Sequence, residues 1–158
     1  MLKGIDPILT PELLMHLCAM GHGEWVAVVD ANFTADFLAK GKPLVRLPGL
    51  SLLRVSQAVL SVFPLDASVD KPAAYMHVCQ AQADHRTPVQ QQLVDLLGIG
   101  ATAGASTGTL TGGLAAEKVE PVERFAFYER VRAASLIVQT GEATAYGNAL
   151  FAKGVILH

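Results

Sequence analysis

The run Trp25-Val26-Ala27-Val28-Val29 is apolar at every position. A strand with one wet face alternates apolar and polar residues; a strand without alternation is covered on both sides. The run therefore predicts a central sheet strand with helices above and below it. Its flanks are equally restrictive. Before it stands Met20-Gly21-His22-Gly23-Glu24, read as a helix end and a tight loop with one histidine between two glycines. Glycine permits positive φ and leaves the imidazole room for a ligand. After it stands Asp30, at the carboxyl end of the strand, the edge where open α/β sheets hold ligands.

The rest of the chain supplies the layers. Thr10-Pro11-Glu12 is a helix start, with Thr as N-cap and Pro at the first helical position. Leu13, Leu14, Leu17, Cys18 and Met20 form its apolar stripe, and Gly21 closes it. Ala31-Asn32-Phe33-Thr34 reads as a loop. A turn at Lys40–Pro43 leads to a short strand, Leu44–Leu47, broken by Pro48-Gly49. Ser51 caps a second helix that ends before Pro64. After a polar loop at Asp66–Pro72, Ala73–Cys79 is a strand, and Thr87-Pro88 opens a third helix to about Leu97. Pro121 predicts the start of a fourth helix running to Ala134, with Phe125 and Tyr128 in the core. Ser135–Thr140 is a strand, and Ala149–Leu157 a closing strand with a turn at Lys153-Gly154. This alternation predicts a single α/β domain over residues 1–158: three α/β/α layers around a central, mostly parallel or mixed sheet.

Composition narrows the function classes. Of 158 residues, 51% are apolar and only 16% charged, and the mean hydropathy is +0.37. No apolar run reaches the ~18–20 residues of a membrane span, so the surplus predicts an interface with further copies of the chain. The net charge of −2, without basic clusters, argues against nucleic acid and against an anionic membrane. The segment Met1–Pro7 lacks an apolar signal core, and Cys18 and Cys79 form no C-x-x-C pair. A cytoplasmic protein with buried thiols is expected. The five histidines are scattered, so no metal is expected. Gly98–Gly113 is a low-complexity segment of small residues, expected to be a mobile loop. It contains Gly98-x-Gly100-x-x-Ala103, a formal dinucleotide fingerprint. The preceding Val89–Leu97 reads as a helix, however, where that fingerprint needs a strand.

Two further strings carry chemistry. Arg124-Phe125-Ala126-Phe127-Tyr128-Glu129-Arg130 reads as an amphipathic helix, or as one that aims the donors of Arg124 into a pocket. Tyr146-Gly147-Asn148 reads as a turn, or as a phenol, an exposed backbone group and an amide suited to sugar hydroxyls. These strings, with Met20-Gly21-His22-Gly23, Asp30-Ala31-Asn32-Phe33, Thr140-Gly141-Glu142 and Lys153-Gly154-Val155, closely resemble the L-fucose mutarotase branch of the D-ribose pyranase/L-fucose mutarotase family. The resemblance covers nearly the whole chain apart from the Asp84–Glu120 region.

The resemblance implies a three-layer subunit in a ring-like homo-oligomer, commonly decameric, with monosaccharide sites near subunit contacts. It places the proton donor on His22 and the substrate-binding positions on Asp30, Arg124, Tyr146, Gly147 and Asn148. Asn32 and Thr34, more variable neighbours, bear on sugar preference. The implied activity is interconversion of the α and β anomers of a free monosaccharide, L-fucose first, with no cofactor and no metal. Imidazole suits such proton exchange near neutral pH. Asp30 either accepts sugar hydroxyls or orients the imidazole. The base at the anomeric hydroxyl is Tyr146, Asp30 or water. The alternatives are a non-catalytic monosaccharide-binding protein and a ribose-type pyranase.

Overall fold

The computed structural model describes residues 2–99 and 113–156. The run that is apolar throughout forms β1 (Trp25–Val29), third in a sheet of six strands. The others are β2 (Leu44–Leu47), β3 (Ala73–Met76), β4 (Val119–Val122), β5 (Leu136–Thr140) and β6 (Ala149–Ala152), in the spatial order β2-β5-β1-β6-β3-β4. β1 and β2 each pair with β5 in parallel, as do β3 and β4 with each other. β6 is inserted antiparallel between β1 and β3. The carboxyl ends of five strands and the amino end of β6 therefore share one edge.

Helices cover both faces, which explains the lack of alternation in β1. Val26 and Val28 face a core built with α1 (Pro11–Ala19), α3 (Leu52–Leu60) and α4 (Pro88–Ile99), against Leu13, Val55, Val59 and Leu93. Ala27 and Val29 face the other core, built with α2 (Ala35–Ala39) and α5 (Arg124–Ala133), against Leu38, Phe127 and Val131. The architecture is the expected three-layer α/β/α domain around a mixed sheet. Local chemistry fixes the helix starts. Thr10 accepts from the Leu13 N–H at 3.2 Å, and Ser51 from the Arg54 N–H at 3.3 Å. Thr87 and Gln90 form a reciprocal capping box, Thr87 N to Gln90 Oε1 at 3.0 Å and Gln90 N to Thr87 Oγ1 at 3.3 Å.

Several local expectations are corrected. Pro121 lies in β4 rather than at a helix start. As the last strand of the sheet, β4 tolerates the missing N–H. The helix begins three residues later, where the Glu123 carboxylate accepts from the N–H groups of Phe125 (2.7 Å) and Ala126 (3.2 Å). Phe127 is then the fully buried aromatic, while Phe125 is 61% exposed. Residues 31–34 form the loop expected, and it leads into a short helix, α2, that sequence reading missed. β3 stops at Met76 rather than at Cys79. Cys18 is exposed and Cys79 half-buried; neither is the core thiol expected. α4 runs to Ile99, so a helix does precede the formal dinucleotide fingerprint. Residues 100–112 of the glycine-rich segment, expected to be mobile, lie outside the described residues, as do Leu157 and His158. Among the described residues no helix is long and apolar enough to cross a membrane.

Phe127→Ala is expected to cost about 3–5 kcal/mol in a chemical denaturation series, the usual range for emptying an aromatic core site. Phe125→Ala should cost markedly less. The reverse order would show that the helix is rotated relative to this structure.

Candidate functional site

The antiparallel register of β1 and β6 pairs Val28 with Ala149, so the residues just past this pair, Asp30 and Asn148, meet at the shared edge. They form a reciprocal clasp. Asp30 N–H donates to Asn148 Oδ1 at 2.9 Å, and Asn148 Nδ2 donates to Asp30 Oδ2 at 2.7 Å. Asp30 Oδ1 accepts from the Asn32 N–H at 3.0 Å. Both side chains are buried. Burial pushes the Asp30 carboxyl up, and Glu142 nearby adds to this; the hydrogen bonds from Asn148 and Asn32 oppose it. Each carboxylate oxygen keeps accepting capacity for a ligand hydroxyl.

The neighbouring residues converge on the same edge. A Cβ on Gly147 would stand 2.8 Å from Glu142 Cγ and 3.0 Å from the Thr144 carbonyl, so a side chain here would displace Glu142. Tyr146 has a φ of 63°, in the left-handed region. Its phenol sits beside Cys79, whose hydrogen bond pushes the phenol pKa up; the charge of Arg124 pulls the other way. Arg124 begins α5 just beyond the end of β4. Its guanidinium stacks on Phe125, 4.7 Å from the ring centroid, and its Nε is buried with no hydrogen-bond partner among the described residues. The set is a carboxylate, a guanidinium, a phenol and an amide. It offers directional hydrogen bonds to a neutral polyol.

His22 stands at the opposite edge. Its Nε2 lies 3.0 Å from Asp66 Oδ2; the imidazole is half exposed and the carboxylate almost wholly buried. The other Asp66 oxygen accepts from Ser68 Oγ at 2.6 Å and Ser68 N at 2.9 Å. The Ser68 hydroxyl contributes most to holding the Asp66 pKa below the ordinary carboxylate range. Burial opposes it, and the Ser68 N–H and His22 add to it. The histidine loop is stitched to the end of β6. Gly23 N donates to Lys153 O and Lys153 N to Glu24 O, both at 2.8 Å. Lys153 Nζ donates to the carbonyls of Leu17 (2.6 Å) and Met20 (2.5 Å), closing the end of α1.

The five residues of β1 separate the two groups, roughly 17 Å at the usual rise per strand residue. The structure thus brings together Asp30, Arg124, Tyr146, Gly147 and Asn148 and holds His22 at the far end of the same strand. Within one chain Asp30 does not orient the imidazole; Asp66 takes that place. Sequence reading missed Asp66. Its one signal was Asp66-x-Ser68, an Asp bonding two residues on as in an Asx-turn, which reads only as a loop. Glu142, Cys79 and Gln90 were also missed as neighbours of the site.

The sequence profile of the RbsD / FucU transport protein family matches residues 3–156. A fucose mutarotase of Danio rerio is 39% identical over 158 residues, covering 98% of this chain and 94% of that protein. A fucose mutarotase of Homo sapiens is 35% identical with the same coverage. The crystal structure of a fucose mutarotase from Streptococcus pneumoniae in complex with L-fucose superposes with a TM-score of 0.79 at 28% identity, covering 99% of this chain and 100% of that one.

The ionisation of Asp66 has a predictable sign. Its lowered folded pKa means the unfolded chain binds the proton more tightly. The stabilisation is fully present above the ordinary carboxylate value of 3.8 and is lost as the pH falls through the folded value. Asp66→Asn is expected to lower Tm by a few degrees at pH 7, and the gap from the unsubstituted protein should close in acid. Thermal unfolding across pH 2.5–7 checks this; a gap that widens in acid contradicts it.

Proposed function

The chain belongs to the RbsD / FucU family, and from that premise we propose that it is an L-fucose mutarotase, an isomerase that interconverts the α and β anomers of the free sugar. The observation that carries this is identity of 35–39% with proteins named fucose mutarotase across 98% of the chain. The polar set around Asp30 supports it. A free monosaccharide presents hydroxyls rather than charge, and the buried Nε of Arg124, without a hydrogen-bond partner among the described residues, is a donor suited to one of them.

Mutarotation opens the ring by protonating the ring oxygen while the anomeric hydroxyl loses its proton. Rotation about the bond to the freed aldehyde and reclosure complete the exchange. His22 is the proton donor in this proposal. With Nε2–H directed at Asp66, the imidazole is held in one tautomer and Nδ1 is left to exchange protons. Asp30, Arg124, Tyr146 and Asn148 hold the sugar, and Gly147 gives them close approach. The proton leaving the anomeric hydroxyl passes to Tyr146, Asp30 or water.

Because β1 separates His22 from the sugar-holding residues, the two halves work together across a contact between copies of the chain. Large apolar side chains lie exposed at both edges. Met15, Val155 and Ile156, on the segments adjoining the His22 loop, are 58%, 51% and 54% exposed. Phe37 on α2 and Phe125 beside Arg124 are 65% and 61% exposed. Such apolar surface suits burial against another subunit. We place the active form in a ring-like homo-oligomer, a decamer, in the cytoplasm.

The test is anomer exchange of L-fucose at equilibrium, followed by NMR magnetisation transfer. His22→Ala and Arg124→Ala are each expected to lose about 10²–10⁴-fold of the acceleration. Refolded together, the two variants should recover part of it, because a mixed contact pairs an intact His22 with an intact sugar pocket. Two inactive variants that stay inactive when mixed would overturn the shared site. Exchange that persists in His22→Ala would remove His22 as the acid. Binding of L-fucose without acceleration would identify a binding protein instead.

A further inference from the structure

Gln90 is fully buried, in a layer otherwise filled by Val89, Leu93, Val94 and Leu97. A buried amide in such surroundings is costly unless all its groups are paired, and here they are. Its Oε1 accepts from the Thr87 N–H at 3.0 Å, completing the capping box of α4. Its Nε2 donates to the Met76 carbonyl at the end of β3 (2.7 Å) and to the Tyr146 carbonyl in the sugar-holding loop (3.1 Å).

The cap alone does not explain this residue. A glutamate fills the same position of a capping box equally well, since the box uses only an oxygen. What glutamate lacks is the pair of donor hydrogens, and both of these point away from the helix start, toward the site. Their second target needs support. Tyr146 carries a φ of 63°, a conformation that a bulky side chain keeps only when its surroundings hold it. Two donors meet its carbonyl, Asn148 N at 2.9 Å and Gln90 Nε2 at 3.1 Å. The same loop is tied to β3 once more, by Met76 N donating to Asn148 O at 3.1 Å.

We infer that Gln90 is a positioning residue for anomer exchange: from the start of α4 its amide holds Tyr146 in its left-handed conformation and so sets the phenol against the sugar. This rests on the mutarotase reading above. Gln90 touches no substrate and acts only through Tyr146.

Two variants test it. Gln90→Glu keeps the volume and the cap but replaces both donor hydrogens with an oxygen facing two carbonyls. Gln90→Met keeps the length and removes every polar group. Each is expected to reduce kcat/KM for L-fucose exchange on the order of tenfold, the scale of a small misplacement of a contacting group. The loss should not add to that of Tyr146→Phe, because both act at one phenol. The second readout is fluorine NMR of 3-fluorotyrosine protein, where the three tyrosines, Tyr75, Tyr128 and Tyr146, give separable signals. The Tyr146 signal should shift or broaden in both variants while that of Tyr128 stays in place.

Wild-type exchange with an unmoved Tyr146 signal overturns the inference, as does a loss that adds in full to that of Tyr146→Phe. If the unsubstituted protein accelerates no exchange, the mutarotase reading fails on its own. The Tyr146 signal then still decides whether Gln90 sets that residue. Should Gln90→Glu, which sets a buried carboxyl against two carbonyls, not fold, Gln90→Met carries the result.

Discussion

The antiparallel pairing of β6 with β1 is the constraint on which both candidate functional groups depend. Five strands of the sheet run one way, and β6 alone is reversed between β1 and β3. Its amino end therefore meets the carboxyl end of β1, and Asn148 closes on Asp30. Its carboxyl end meets the amino end of β1, and the Lys153 backbone bonds to Gly23 and Glu24 just before the strand begins. One strand pair holds the Asp30–Asn148 clasp at one edge and the histidine loop at the other. A slip of its register by one residue would turn Leu150 and Phe151 to the wrong cores and undo both edges together.

The two edges carry carboxylates in opposite electrostatic conditions. Asp30 is buried beside Glu142, and desolvation favours its protonated form. Asp66 is also buried, but the Ser68 hydroxyl and N–H bind its charged form, and the imidazole of His22 stands against it. A carboxylate kept charged suits the orientation of a ring that gains and loses protons. One held by an amide and a backbone N–H suits a fixed frame for neutral hydroxyls. The different partners, rather than the residue type, set the two roles.

Much of this was legible in the sequence because the signals were local. The unbroken apolarity of Trp25–Val29 required cover on both faces, and Thr10, Ser51 and Thr87 marked helix starts that the structure keeps. The failures were also local in origin. Pro121 satisfies a helix start and an edge strand equally well. The two-residue difference between Phe125 and Phe127 is about 200° around a helix, enough to exchange core for solvent. With five residues, α2 is too short to show a helical period. At the site, the strings near His22, Asp30, Arg124 and Tyr146-Gly147-Asn148 were readable through family resemblance. The partnership of His22 with Asp66 joins residues 44 positions apart through the turn of Lys153-Gly154, and no local pattern announces it.

The length of β1 also bears on how such a protein changes over generations. Asn32 and Thr34 lie beyond the carboxyl end of the strand, with the whole of β1 between them and the imidazole. Groups that far apart, without shared partners, respond to substitution independently. Within one subunit, substitution at the Asp30–Asn148 edge can proceed without disturbing the His22–Asp66 pair, and the reverse also holds. Within one subunit the two edges are joined by the stiffness of β1, four of whose five residues are buried, and a site shared between copies would couple them again.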